Sequence, residues 1–291
     1  ARYPGGPKED VIFSYFDTFG GVQMPALSSN NECILQLIDR DVTNIYDHKR
    51  GLEERLREFN CDGPFAKTYF NVEEALEATE SSESALFFAK LPEQSGGRGI
   101  RVLQREDLTK DLSSDYVFQR AVQDLELLDG RKFVIRYFFW VYQGCLYLHD
   151  HGVVIVHGAD YDPNSVSEAV QVRHDWYDSD SETYLITLQS SDQAPRWRHA
   201  IAQRLQELAP ALAPLLQASG DKGRYALVGG DALMQRNGEA KLIELNMYPN
   251  LCSQQAVVDK GVFLPVLEDM MAFMLLGQRN DRIKLILKQQ K

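Results

Sequence analysis

Apolar and polar positions alternate with two different periods along this chain. Leu52, Leu56 and Phe59 recur at helical spacing within residues 44–59, and an acidic helix is predicted from Asn71 as its N-cap through Glu73, Glu74 and Glu77 to Ser81-Ser82. From Ala85 the pattern becomes that of strands, over 86–89, 100–103 and 116–119. Two longer runs, 132–142 and 145–157, meet at Gln143-Gly144, a two-residue link that favours a hairpin. Residues 203–217 read as an Ala/Leu-rich helix interrupted by Pro210 and Pro214. A second strand pair, 226–236 and 239–246, leads to a last helix over 263–276, while 11–13 and 34–38 read as short strand or helix pieces around a Gly/Ser-rich loop. Helices mixed with antiparallel hairpins predict an α+β fold.

Length and composition narrow the classes. With 291 residues, 44% hydrophobic and 25% charged, the chain suits a globular unit of two or three lobes. Three segments are expected: an N-terminal lobe (1–66), a central lobe (67–118) and a C-terminal lobe (119–291). The net charge of −11 argues against a nucleic-acid or anionic-membrane partner, and no run of about 18 apolar residues predicts a membrane span. The basic end, 284–291, is too short to reverse that balance. The first residues carry no signal-like apolar stretch. Cys33, Cys61, Cys145 and Cys252 have no metal-type spacing, and Cys145 and Cys252 sit in apolar contexts, so buried thiols in a reducing, cytoplasmic compartment are expected.

The segment 228–246 carries the sharpest chemistry. Asn237-Gly238 predicts a two-residue turn, and counting outward from it sets Leu233 against Leu242, Asp231 against Glu244 and Gly229 against Asn246. Two carboxylates directly opposite on a strand pair repel. A divalent cation relieves that repulsion, and Asp, Glu and an Asn carbonyl are the hard oxygen donors that Mg²⁺ takes. Upstream, Lys90 closes an apolar strand before a loop with Gly96, Gly97, Arg98 and Gly99. Such glycines let backbone N–H groups approach a polyphosphate, although no Walker-type Gly-Lys-Ser/Thr is present.

Taken in order, Lys90 before the glycine loop, Gln119 closing a strand, Gly130-Arg131-Lys132-Phe133-Val134-Ile135-Arg136, Asp231, and Glu244-Leu245-Asn246-Met247-Tyr248-Pro249 resemble an ATP-grasp ligase. The tubulin-tyrosine-ligase-like branch is the most similar variant, and the likeness spans roughly residues 47–274. The resemblance implies a nucleotide held between two α+β lobes, with ATP and two Mg²⁺ ions as cofactors. It implies that Lys67 and Lys90 face the nucleotide and that Gln119, Arg120, Ala121 and Val122 form the adenine hinge. Asp124, or Glu126, would meet the ribose. Lys132 and Arg136 would meet the γ-phosphate and acyl phosphate, and Asp231, Glu244 and Asn246 would hold magnesium. The implied reaction joins a small-molecule or peptide carboxylate to an amine through an acyl phosphate, releasing ADP and phosphate.

Two positions depart from that pattern. Val134 stands where an acid is expected and Ile155 where a base is expected, and the −11 charge disfavours an acidic tubulin tail, so neither tubulin nor tyrosine is expected as substrate. His149, His151 and His157 on one strand are read as cleft-lining groups rather than metal ligands. Arg173, His174 and Asp175 are candidates for acceptor binding, on a loop through 175–183. Two alternatives stay open: a kinase using the same residues, and an inactive nucleotide-binding module.

Overall fold

Strand-forming runs recur along the chain. In the computed structural model, which describes residues 11–13, 33–79, 85–94, 99–109, 111–112, 115–172, 182–221, 223–253 and 255–289, they form two sheets. The strands are β1 (Val11–Phe13), β2 (Cys33–Leu37), β3 (Thr68–Tyr69), β4 (Leu86–Lys90), β5 (Arg101–Gln104), β6 (Val117–Arg120), β7 (Arg131–Tyr142), β8 (Cys145–Asp160), β9 (Tyr184–Thr187), β10 (Arg224–Met234), β11 (Ala240–Asn246) and β12 (Ile283–Lys288). The helices are α1 (Arg40–Asp47), α2 (Lys49–Glu58), α3 (Val72–Glu77), α4 (Glu168–Gln171), α5 (Ala194–Glu207), α6 (Ala209–Ala218), α7 (Ala256–Val258) and α8 (Leu264–Leu276). The fold is mixed α+β with mainly antiparallel sheets.

The larger sheet runs β1-β2-β10-β7-β8-β12, with β11 on β10 and β9 on β8. Its centre is β7, whose apolar sequence suits a strand covered on both faces. Phe133, Ile135, Tyr137, Phe139 and Val141 pack beneath α5 and α6 with Trp197, Leu205 and Leu212. The alternate residues Phe138 and Trp140 pack beneath α8 with Phe263, Val266 and Met270. Nearer the start of β7, Lys132 and Val134 occupy that second face but look across a cleft at the smaller sheet.

The smaller sheet, β3-β6-β4-β5, is antiparallel throughout. Phe87, Ala89 and Phe118 on its outer face bury Val72 and Ala75 of α3. Period-two alternation then turns Phe88, Lys90 and Gln119 toward the larger sheet. Main-chain bonds tie the sheets together, from Ala66 N–H to the Leu242 carbonyl (2.9 Å) and from Glu126 N–H to the Met234 carbonyl (2.8 Å).

Several boundaries have local causes. His48 is extended and its Nδ1 accepts from Gly51 N–H, which splits the helix expected over 44–59 into α1 and α2. Asn71 caps α3 as expected, accepting from Glu74 N–H at 2.8 Å. Pro210 opens α6 rather than interrupting one helix, because a proline is tolerated in a first turn. The link at Gln143-Gly144 is the expected two-residue turn, with both residues at positive φ (51° and 69°). Residues 11–13 and 33–37 add β1 and β2 to the large sheet beside β10. The basic end, 284–288, is part of the edge strand β12. Cys61 and Cys145 are buried free thiols, but Cys252 is exposed, because the turn after β11 carries it to the surface. No helix among the described residues is long and apolar enough to cross a membrane.

Candidate active site

The hairpin of β10 and β11 reaches the expected pairing by an unexpected route. Gln235 N–H bonds the Glu239 carbonyl (2.9 Å), and Gly238 sits at φ 87°, so the loop has three residues, 236–238, with a left-handed glycine at its end. That loop slips the register by one, setting Leu233 against Lys241 instead of Leu242. A β-bulge between Asp231 and Ala232 then absorbs one extra residue on β11 and restores Asp231 opposite Glu244 and Gly229 opposite Asn246. The extra residue is Ile243. It lines the cleft beside Glu244, and its carbonyl accepts from Gln119 Nε2 at 3.3 Å, linking the two sheets.

Glu244 is held as an anion. Burial alone would raise the Glu244 carboxyl, but Lys90, Lys49 and Arg136 outweigh it and bring it to about 2, with Asn246 Nδ2 donating to Oε1 at 3.3 Å. Asp231 lies cross-strand from Arg136. The guanidinium meets it fork to fork, through Nε to Oδ1 and through Nη2 to Oδ2 at 2.8 Å. Two glycines make room here, Gly229 beside Arg136 and Gly230 beside Tyr137. A Cβ at Gly229 would lie 2.9 Å from the Pro249 Cβ and 3.4 Å from the Arg136 Cδ, and one at Gly230 would lie 2.1 Å from the Tyr137 ring.

Facing the acids are two buried ammonium groups. Lys90 Nζ donates to Gln119 Oε1 (2.7 Å), and burial, opposed by Glu244, lowers it to about 8. Lys132 Nζ donates to the Gln171 carbonyl (2.8 Å) and lies 4.9 Å from the centre of the Phe88 ring. Burial, then the charge of Lys90, lowers it to about 7. Two mutually repelling cations thus share one cleft with the acid pair.

The cleft has two compartments that share Lys90, Gln119, Ile243 and Glu244. The first, about 630 Å³ counting its open mouth, has apolar walls from Ala66, Phe88, Ile100, Val122, Val134 and Leu233. The second, about 680 Å³, is more polar and includes Asp47, Lys49, Thr68 and Asn246. Asp231 lines only the first, Asn246 only the second, and Glu244 stands at their junction.

The other expected site residues divide. Gln119, Arg120 and Val122 line the first compartment, but the N–H groups of Arg120 and Ala121 are already bonded to the Lys67 and Leu86 carbonyls (2.8 Å each). Lys67 does not face the cleft. It lies between Ala66 and Thr68 in an extended segment, so its side chain points to the opposite, exposed face, where it pairs with Asp62. Asp124 is exposed at a positive-φ turn outside both compartments, and Glu126 is taken by Arg196 (2.6 Å) and Trp197 Nε1 (3.2 Å). Gly99 is at φ 66° beside Gln94, whereas Gly96, Gly97 and Arg98 lie outside the described residues, as do 173–181 and Ser81-Ser82. Val134 is an apolar wall, and Ile155 is a core residue packed under α8. Of the described histidines, only His157 lines the cleft, its Nδ1 donating to the Val170 carbonyl at 3.0 Å. His149 donates from Nε2 to Asp269 at 2.9 Å and accepts His151 N–H at Nδ1, and burial lowers its basicity.

Lys49, Asp47, Ile243 and Gln171 were not legible as site residues. Lys49 opens α2 and contributes to the field at Glu244, and Asp47 accepts Met247 N–H at 2.8 Å. A lysine in an amphipathic helix gives no signal by itself, and Ile243 enters only through the bulge. Among the described residues no three His, Cys, Asp or Glu side chains converge as a metal site. The three expected donors, two carboxylates and the Asn246 amide, are oxygens of the kind Mg²⁺ takes, with Asp231 and Asn246 in different compartments on either side of Glu244. No protein-family model matches this sequence, and a search of curated proteins finds no significant relative.

Proposed function

We propose that this cleft binds Mg-ATP and that the chain is an ATP-dependent carboxylate–amine ligase of the ATP-grasp type. The observation that carries the reading is the pairing of two buried, destabilised ammonium groups, Lys90 and Lys132, with a cross-strand acid pair, Asp231 and Glu244, in one cleft between two sheets. An apolar compartment beside a charged junction suits a flat base followed by a polyphosphate.

Asp231, Glu244 and Asn246 would hold Mg²⁺, which when bound draws charge from the β- and γ-phosphates. Phe88, Val134, Leu233 and Ile243 would hold the base by apolar contact, with Val122 contributing at the hinge. Lys90 and Lys132 would neutralise the phosphates and recover their full charge on doing so. With Glu244 at the junction, the γ-phosphoryl group would sit between the compartments and the carboxylate that accepts it would enter from the second. Arg136 lines neither compartment; forked onto Asp231, it would hold that carboxylate in place rather than touch the reacting groups. Positioning and water exclusion supply the catalysis, and no nucleophilic side chain is needed.

The test is ADP release with Mg-ATP across pools of acids and amines, with free phosphate measured in parallel. Equimolar ADP and phosphate that require both an acid and an amine, and vanish in Glu244→Gln, support the ligase. ADP with a phosphorylated product assigns phosphotransfer to a hydroxyl instead. ATP binding without turnover in any pool removes the ligase assignment for small substrates.

A further inference from the structure

A third cavity lies away from the cleft, where the start of α5 meets β8 and the entry to β12. It measures about 780 Å³ counting its open mouth and shares no lining residue with either cleft compartment. His149 on its floor precedes the cleft residue His157 by eight positions on β8, which the bulge after Leu148 sets alongside six residues of β7, roughly 20 Å at about 3.3 Å per residue. The cavity is therefore a separate place on the molecule.

Its side chains hold more donors than the fold uses. Arg198 gives Nη1 to Asp150 (3.0 Å) and Nε to the Ala194 carbonyl (3.2 Å), and Nη2 makes no hydrogen bond among the described residues. Arg282 gives Nη2 to Asp269 at 2.7 Å, which leaves Nε and Nη1 uncommitted among the described residues. Lys284 Nζ and the His199 ring, both exposed at the wall, likewise have no bonded partner there. Against these stand Asp281 and one oxygen of Asp150, whose Oδ2 accepts from Arg198 while its buried Oδ1 has no hydrogen-bond partner among the described residues and lies 3.6 Å from His151 Nε2. A concentration of unused cationic donors is unexpected in a chain of net charge −11, whose overall field repels anions.

We propose that this cavity is a second ligand site, taking a small molecule that presents an oxyanion to Arg198, Arg282 and Lys284. Planar guanidinium groups bind phosphate and carboxylate oxygens in pairs, and a nearby ammonium adds charge without fixed direction. The same donors serve a phosphoryl or a carboxylate group, so the shared chemistry is the oxyanion. This inference does not rest on the nucleotide reading of the cleft, because the two regions have no residue in common.

The experiment is calorimetric titration of the full chain with inorganic phosphate and, separately, with citrate, at matched ionic strength. Wild type is compared with Lys284→Glu, Arg198→Gln and the cleft variant Lys90→Met. Lys284 is exposed and unpaired among the described residues, so its replacement leaves the fold intact, as circular dichroism would verify. Saturable binding that weakens by about tenfold or more in Lys284→Glu and Arg198→Gln, and persists in Lys90→Met, is the expected result. The tighter of the two probes identifies phosphoryl or carboxylate as the preferred group. Absence of saturable binding by either probe overturns the proposal. Binding lost only in Lys90→Met also overturns it, by placing the anion in the cleft.

Discussion

Replacing Lys132 by Met should make the unliganded protein more stable near neutral pH while weakening its hold on nucleotide. Burial and the neighbouring charge of Lys90 lower the Lys132 ammonium from 10.5 to about 7. At roughly 1.4 kcal/mol per pH unit of depression, the folded state gives up about 4 kcal/mol at pH 7 relative to an unfolded chain whose lysine stays protonated. Methionine has a similar shape and no charge, but it forfeits the bond to the Gln171 carbonyl, worth about 1 kcal/mol. A net gain of roughly 1–3 kcal/mol is expected in urea denaturation at pH 7, since burial figures of this kind are upper limits. The sign fixes the pH dependence. Above about 10.5 the lysine is neutral in both states and imposes no penalty. The penalty grows as pH falls toward 7 and is constant below it. The advantage of Lys132→Met should therefore shrink between pH 7 and pH 10. A variant less stable than wild type at pH 7, or an advantage that does not fall with rising pH, would refute the reasoning.

Three other outcomes follow from the same site. Asp231→Ala leaves the Arg136 guanidinium buried without its fork partner and should cost about 3–5 kcal/mol by denaturation. The double variant Asp231→Ala/Arg136→Met should recover much of that loss in a double-mutant cycle. Glu244, held at about 2 against an ordinary 4.5, stabilises the fold at pH above about 4.5, and that contribution disappears as pH falls toward 2. Acid titration of Glu244→Gln by circular dichroism should lack that component. Gly230→Ala drives a methyl into the Tyr137 ring and should destabilise by about 3 kcal/mol or more in thermal melts, whereas Gly63→Ala, whose Cβ meets nothing within 4 Å, should be nearly neutral.

Much of the architecture could be read from periodicity because the long strands are uninterrupted. The runs that became β7 and β8 and the Gln143-Gly144 turn gave their structure directly. Short elements were less legible: β3 has two residues, and β12 holds its apolar run Leu285-Ile286-Leu287 between Lys284 and Lys288, in a segment that resembles a basic tail. The pairing of Asp231 with Glu244 was predicted from a two-residue loop that does not form. A three-residue loop and a compensating bulge produce the same pairing, because two shifts of one residue in opposite senses cancel. The polarity of β10 and β11 thus located the acids while concealing Ile243. Lys67 fell outside the cleft for a similar reason, since one step along an extended segment reverses the face. Lys49 could not be found, because tertiary packing of α2 against the cleft brings it near Glu244.

Calorimetric titration with ATP, in the presence and absence of Mg²⁺, tests the central claim most directly. The account predicts one saturable site that requires Mg²⁺ and takes up protons at pH 8, where Lys90 and Lys132 regain charge on meeting phosphate. It further predicts that Glu244→Gln and Lys90→Met each weaken binding by about tenfold or more. No saturable binding at millimolar nucleotide, or binding indifferent to Mg²⁺ and to both substitutions, would contradict it.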